Sequence, residues 1–388
     1  MARHLPYFLA SFTWNYGLGM TWLVVPLYAY SKGLSGAEIG VLFSVPSIAQ
    51  LAINLIGGAY VDRFGGKRIM LASSVLLAAG AAAMPFARDF WSLFAAQTIL
   101  VLARATFWPA NWSIAADLPG DRGVQAGRLN AITNLGQILG NGSCGFILAL
   151  GGFDMSFAVL AAMGLGALTL GTGTRQLPRK NFSGQGLFGN YRVLMRMPVL
   201  YYGAVCAYLS ALPYSLSMSF YPLLLKHLGF GAEASGVLLA LRAVGGIGAG
   251  LIVARFVNTG PGSPWPAIAG AFVAIAVGLQ PLVSHWGAVG AFLFALGVGS
   301  SVMTIYFQVT MAEVVAPEMR GSAMALGGLG WGFSHLTTPL VMGFLADRFG
   351  IVSGFYVLGG LSLAVVGFIA LLRRWAFSHT KLANRAAA

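Results

Sequence analysis

The chain has 388 residues, 57% of them hydrophobic and only 9% charged, with a net charge of +13. Soluble domains carry about 25% charged residues, so a soluble fold is excluded. The basic excess reads as membrane topology rather than as a nucleic-acid surface. One helical crossing needs roughly 20 apolar residues, which leaves room for about a dozen with short connections.

In chain order the apolar runs predict spans near 6–30, 37–61, 69–87, 90–116, 126–150, 155–174, 197–225, 233–256, 264–284, 287–315, 321–345 and 352–372. The expected fold class is therefore an all-α membrane protein with twelve transmembrane helices. Met1-Ala-Arg-His4 runs directly into the first span, so a cleavable leader is not expected. The longest hydrophilic stretch divides the chain into a six-helix bundle over 1–174, a cytoplasmic linker over 175–196 and a second bundle over 197–388. With both termini inside, seventeen Lys and Arg fall on the cytoplasmic side and four outside, namely Lys32, Arg88, Lys226 and Arg348. That bias fixes the expected orientation in a cytoplasmic (inner) membrane. Cys144 and Cys206 fall inside spans, where a thiol packs as a small hydrophobe.

The two halves repeat each other. At an offset of 198 residues Arg122-Gly123 matches Arg320-Gly321, Gly145-Phe146 matches Gly343-Phe344, and Gly152 matches Gly350. At an offset of 196, Pro26-Leu27 matches Pro222-Leu223 and Gly33 matches Gly229. Loops and glycines paired in consistent register point to duplication of a six-helix unit.

Between the second and third spans runs Gly58-Ala-Tyr-Val-Asp62-Arg63-Phe-Gly65-Gly-Lys67-Arg68. Gly58 permits close packing, Asp62 ends the helix at the surface and Gly65 allows a tight reversal. Lys67 and Arg68 are then held on the positive-inside face. This run resembles the loop signature of the major facilitator superfamily, and with the duplication the resemblance extends over essentially the whole chain. It implies two pseudo-symmetric six-helix bundles around a cavity that opens alternately to each side. The first, second, fourth and fifth helices and their counterparts in the second bundle would line the path. It further implies a gating role for Asp62, Arg63, Gly65, Lys67 and Arg68, with Asp62 acting on the start of the eleventh helix near Gly321. The second half departs from the signature, having Ala254-Arg255 where an aspartate precedes the arginine. Arg104 stands where the family's second signature places an arginine, without the usual Gln-Gly continuation. Gly136, Gly140 and Gly145 resemble the family's antiporter glycine pattern, without its Gly-Pro pair.

All ten carboxylates fall at or near span ends, leaving Arg104, Arg242 and His335 as the deep ionisable side chains. An arginine near the bilayer centre costs about 2.5–3.5 kcal/mol on insertion scales, so it needs a partner or a wet cavity. A guanidinium stays charged and grips a carboxylate or phosphate with parallel bonds. Arg104 and Arg242 are accordingly candidates for holding an anionic group. Bonding to backbone carbonyls or nearby asparagines is the structural alternative. His335 is the deep group that titrates near neutral pH, hence the candidate for proton coupling, with a satisfied hydrogen-bonding role as its alternative. Asn15, Trp108, Asn111, Asn134, Gln137 and Tyr306 complete the expected substrate-binding set, because a polar face on a spanning helix needs partners or water.

The expected function is a secondary transporter for a small organic, anionic or amphipathic solute, working by alternating access. The alternative is a proton-coupled multidrug efflux protein, for which a buried acid is missing. No His-Glu-x-x-His pair or carboxylate cluster points to an enzyme. No cofactor or metal is expected. The expected partners are a small-molecule substrate, a coupling proton or counter-substrate, and the lipid bilayer; nucleic acid is not among them, and a monomer is expected.

Overall fold

The computed structural model describes residues 4–119, 122–174, 189–256, 262–315 and 319–386. Among these there are only helices, turns and short 3-10 segments. The α-helices are α1 (Leu5–Ser31), α2 (Gly36–Ser44), α3 (Pro46–Phe64), α4 (Gly66–Ala83), α5 (Phe90–Asp117), α6 (Arg122–Thr172) and α7 (Gly189–Leu194). They continue as α8 (Pro198–Ser217), α9 (Tyr221–His227), α10 (Ala232–Phe256), α11 (Trp265–Leu279), α12 (Trp286–Val314), α13 (Arg320–Phe349) and α14 (Ile351–Ala386).

Helices cover all twelve expected spans, though not one to one. The second span is α2 followed by α3, divided at Val45 before Pro46. The fifth and sixth run together as α6, broken only at Gly152, whose φ of 69° lies in the left-handed region that glycine tolerates. The seventh is split into α8 and α9 by a turn at residues 218–220. Proline explains that split: Pro222 cannot donate to the carbonyl of residue 218, and its ring crowds that carbonyl. The repeat-equivalent Pro26 is accommodated within an unbroken α1.

Nine helical segments among the described residues are long and apolar enough to cross a membrane, and Gly127–Thr172 has the length for two crossings. Neither α1 nor α13 is among them. Ser11 and Asn15 dilute the hydropathy of the first, and Ser334, His335, Thr337 and Thr338 that of the second. The helices with polar interiors are thus marked out by composition.

By packing, the chain falls into two compact units. The first comprises Met1–Phe182 with Leu216–Ala243, and the second Ser183–Ser215 with Val244–Ala388. The end of the seventh span and the first half of the eighth therefore pack with the first unit. Within it α1 is largely buried, and its seam with α6 is close enough to exclude side chains. A methyl on Gly136 would lie 2.6 Å from the Phe12 carbonyl oxygen, and one on Gly140 would overlap the Tyr16 carbonyl. α6 meets α10 in the same way: Gly236 abuts the Asn141 carbonyl, and Gly145 that of Ala232. Helices in lipid associate through such small-residue contacts, since lipid tails are as apolar as leucine.

In the second unit Gly330 of α13 abuts the Ala204 carbonyl of α8, and Gly245 of α10 that of Phe294 in α12. The repeat is visible in the backbone. Gly152 and Gly350 have φ of 69° and 82°, and Gly33 and Gly229 have 80° and 88°. Both sequence-matched pairs thus share a left-handed turn.

Candidate substrate site

Two arginines stand out in the first unit, Arg104 half-buried and Arg242 fully buried. Arg104, on α5, donates to Gln50 Oε1 of α3 at 2.7 Å and to Met218 Sδ at 2.7 Å. Met218 lies in the turn that divides the seventh span, so the break delivers a soft sulfur acceptor to the guanidinium. Both acceptors are neutral, and Nε has no partner among the described residues. Arg242, on α10, is 1% exposed and lies 5.2 Å from the centroid of the Trp22 ring of α1. It also interacts electrostatically with Tyr221, the first residue of α9. A guanidinium over an indole face is held by the ring quadrupole, an arrangement that strengthens when water is excluded.

In the same unit a continuous polar chain crosses three helices. Gln137 Nε2 donates to Asn15 Oδ1 at 2.9 Å, and Asn15 Nδ2 donates to the Ser11 carbonyl at 2.8 Å. Ser11 Oγ donates to Asn111 Oδ1 at 2.9 Å, and the Tyr7 hydroxyl to the Asn111 carbonyl at 2.8 Å. The chain joins α1, α5 and α6. Asn111 Nδ2 has no partner among the described residues. Trp14 stacks on Phe107 with centroids 3.7 Å apart and rings 4° from parallel. Trp108 meets Phe107 edge-on at 5.5 Å and lies 6.4 Å from Trp112. Asn134 stands apart from this network, donating to the Asn130 carbonyl of its own helix at 2.8 Å.

The remaining expected site residues belong to the second unit. His335 Nδ1 is 2.8 Å from Ser215 Oγ, which also approaches Ser334 Oγ at 3.4 Å. Tyr208 and Thr337 pair through their hydroxyls at 3.0 Å, and Trp331 Nε1 donates to Ser210 Oγ at 2.9 Å. A polar seam therefore runs between α8 and α13. Tyr306 is fully buried; its hydroxyl accepts from the Gly262 backbone N–H at 3.1 Å, and its ring meets Tyr202 edge-on at 6.1 Å.

In the loop between α3 and α4, Gly65 has φ of 83°. Lys67 Nζ donates to the Thr172 carbonyl at 2.7 Å, tying the loop to the end of α6. Arg63 and Arg68 are exposed. The side chains of Asp62, Arg122 and Arg255 and the surroundings of Gly58, Gly123 and Gly321 lie outside what is described, as do residues 175–188 of the linker.

The sequence reading missed Gln50, Met218 and Ser11. Gln50 had a signal: Ser47, Gln50 and Asn54 form a polar stripe at helical spacing in the second span. Met218 had none, because a thioether in an apolar run reads as packing.

Residues 7–284 and 267–386 match the family model of the Major Facilitator Superfamily. The quinolone resistance protein NorA of Staphylococcus aureus is 26% identical over 167 residues, covering 42% of this chain and 43% of that protein. Multidrug resistance protein 1 of Bacillus subtilis is 25% identical over 242 residues, 60% of each chain. The chain thus aligns with less than two thirds of these relatives' length. Among solved structures, a bacterial homolog of the human lysosomal transporter Spinster, inward-facing and unoccupied, superposes with a TM-score of 0.78 at 17% identity, covering 98% of this chain and 96% of that one. The nucleoside transporter NupG superposes with a TM-score of 0.79 at 16% identity, covering 96% and 99%. Helical content, fold and the family match over nearly the whole length agree: the chain is an integral membrane protein of the major facilitator superfamily.

Proposed function

We propose that this protein is a secondary transporter that moves an amphipathic organic anion across the cytoplasmic membrane by alternating access, with both termini in the cytoplasm. The observation that carries this reading is the setting of Arg104. Its guanidinium is held by a neutral amide and a thioether, so its charge is positioned but, among the described residues, not cancelled by a carboxylate. Arg242 supplies a second cation in the same unit, fully buried beside Trp22. Two fixed cations, one of them beside an indole face, suit a solute with an acidic head and an aromatic body. His335, hydrogen-bonded to Ser215, is the group through which a proton would couple. The loop from Asp62 to Arg68 serves as a gate, and the working unit is a monomer with two six-helix halves.

A second reading, efflux of chemically varied drugs, draws on the similarity to NorA and Multidrug resistance protein 1. Reconstitution into proteoliposomes separates the two. Counterflow of an aromatic carboxylate, dependent on preloaded solute, supports the anion carrier. Proton-driven movement of lipophilic cations with no carboxylate counterflow supports drug efflux and sinks the anion reading.

A further inference from the structure

A concavity lies wholly within the second unit, on α8, α13 and α14. Its volume is about 760 Å³, and Leu200, Ala204, Val205, Leu329, Phe368 and Leu372 are among the side chains that form it. Along α8 it runs from Leu200 to Tyr208, about 12 Å at 1.5 Å per residue. That is close to the depth of one leaflet, half of the roughly 30 Å hydrocarbon core. Phe333 and Phe368 are each 51% exposed and Trp375 is 49% exposed, so the groove is open along its length. α14 also presents Leu361, Leu363 and Leu371 outward, the surface of a helix that faces lipid tails.

One end of the groove is aromatic, and arginines stand next in sequence to its lining residues. Tyr201 and Trp375 stand there with ring centroids 6.3 Å apart, and the Tyr201 hydroxyl donates to the Met195 carbonyl at 2.7 Å. Such amphipathic rings settle at the headgroup level of a bilayer. Arg196 adjoins the lining residue Met195, and Arg373 and Arg374 lie between the lining residues Leu372 and Trp375. Arg192 is on α7, one turn before them, and it, Arg196 and Arg374 are exposed. No Asp or Glu occurs anywhere in α7, α8 or α14.

We propose that this groove is a binding site for an anionic phospholipid, with one acyl chain along α8 and the phosphate at the arginine rim. Basic pockets between membrane helices recognise lipid headgroups by this combination of charge and depth. The occupant must be apolar over about 12 Å and carry net negative charge at one end, which a zwitterionic lipid, whose phosphate is offset by its own ammonium, does not. The site is separate from the arginine cluster of the first unit and does not depend on the proposed transport cycle.

Native mass spectrometry of the full-length protein, titrated with phosphatidylglycerol or phosphatidylcholine of matched chains, tests this. One phosphatidylglycerol should be retained with at least about fivefold preference over phosphatidylcholine. Arg373→Gln with Arg374→Gln should abolish the preference while retaining tail binding, and Val205→Trp should displace both lipids by filling the groove. Equal retention of the two lipids by the unaltered protein, or a preference that survives both variants, overturns the proposal. Displacement of the lipid by millimolar inorganic phosphate also overturns it, because the rim would then be a site for a free anion. Should Val205→Trp fail to fold, quenching of Trp375 by acyl-brominated lipids, taken as the part lost in Trp375→Phe, reads the same groove. It should be several-fold greater for phosphatidylglycerol than for phosphatidylcholine at equal mole fraction, and equal quenching overturns the assignment.

Discussion

At the scale of single residues, the proposed chemistry rests on the two arginines and His335. Arg104 uses separate nitrogens to reach Gln50 and Met218, a division that a planar guanidinium permits and an ammonium does not. Arg104→Lys and Arg242→Lys should each weaken binding of an anionic ligand about tenfold or more, the loss of a charge-assisted bond worth roughly 1.5–3 kcal/mol. Titration of the purified variants measures this. If affinity is unchanged and thermal stability falls instead, the arginines are structural. His335→Gln should flatten the pH dependence of transport between about pH 5.5 and 8 while leaving counterflow intact, since glutamine keeps a hydrogen bond to Ser215 but cannot titrate. An unaltered pH profile assigns His335 to the polar seam alone.

At the scale of helices, backbone contact and capping decide what can change. Gly140 meets the Tyr16 carbonyl with no room for a methyl, so Gly140→Ala should separate α1 from α6. Overpacking costs about 1–3 kcal/mol, and a lowered apparent Tm should accompany disruption of the polar chain through Gln137 and Asn15. Gly127→Ala, on the same helix but with nothing near its added carbon, should be neutral; equal effects of the two would mean that packing is not the cause. Asp89 caps α5 by accepting from the Ser92 N–H at 2.8 Å. That bond and the Ser92 hydroxyl hold its carboxyl below the usual aspartate range. The folded pKa being depressed, the charged cap contributes fully above the ordinary value near 3.9 and is lost as pH falls through the folded one. Asp89→Asn should remove that pH-dependent component of stability, as followed by melting curves between about pH 5 and 2.

At the scale of the whole molecule, the gate proposed around Asp62 predicts a division between function and folding. Asp62→Asn should reduce transport severely with little change in expression or Tm, because the side chain would bias an equilibrium between states rather than fill a core. Arg255→Ala, in the degenerate copy of the signature, should have the smaller effect. Flux assays on matched protein amounts test both, and the reverse order would move the gating role to the second half. The duplication leaves room for such asymmetry: Gly152 and Gly350 keep one turn geometry in both copies, while Pro26 lies in a continuous helix and Pro222 begins a new one.

The sequence by itself determined the spans, because a bilayer requires long apolar helices that satisfy their own backbone groups. It also singled out Arg104, Arg242 and His335, because an ionisable group within an apolar run is costly enough to be conspicuous. Gly65 was legible as a tight reversal, and it and the repeat-matched Gly33, Gly152, Gly229 and Gly350 all have positive φ. Which side chains meet was decided only by the tertiary structure. Gln50 and Met218 reach Arg104 from 54 and 114 residues away. Residues 216–243 pack with the first unit although they follow the linker. Helices apolar on every side carry no stripe that fixes their rotation or depth. Partners across a seam are therefore set by the close approach of glycine backbones, and only the folded chain displays that.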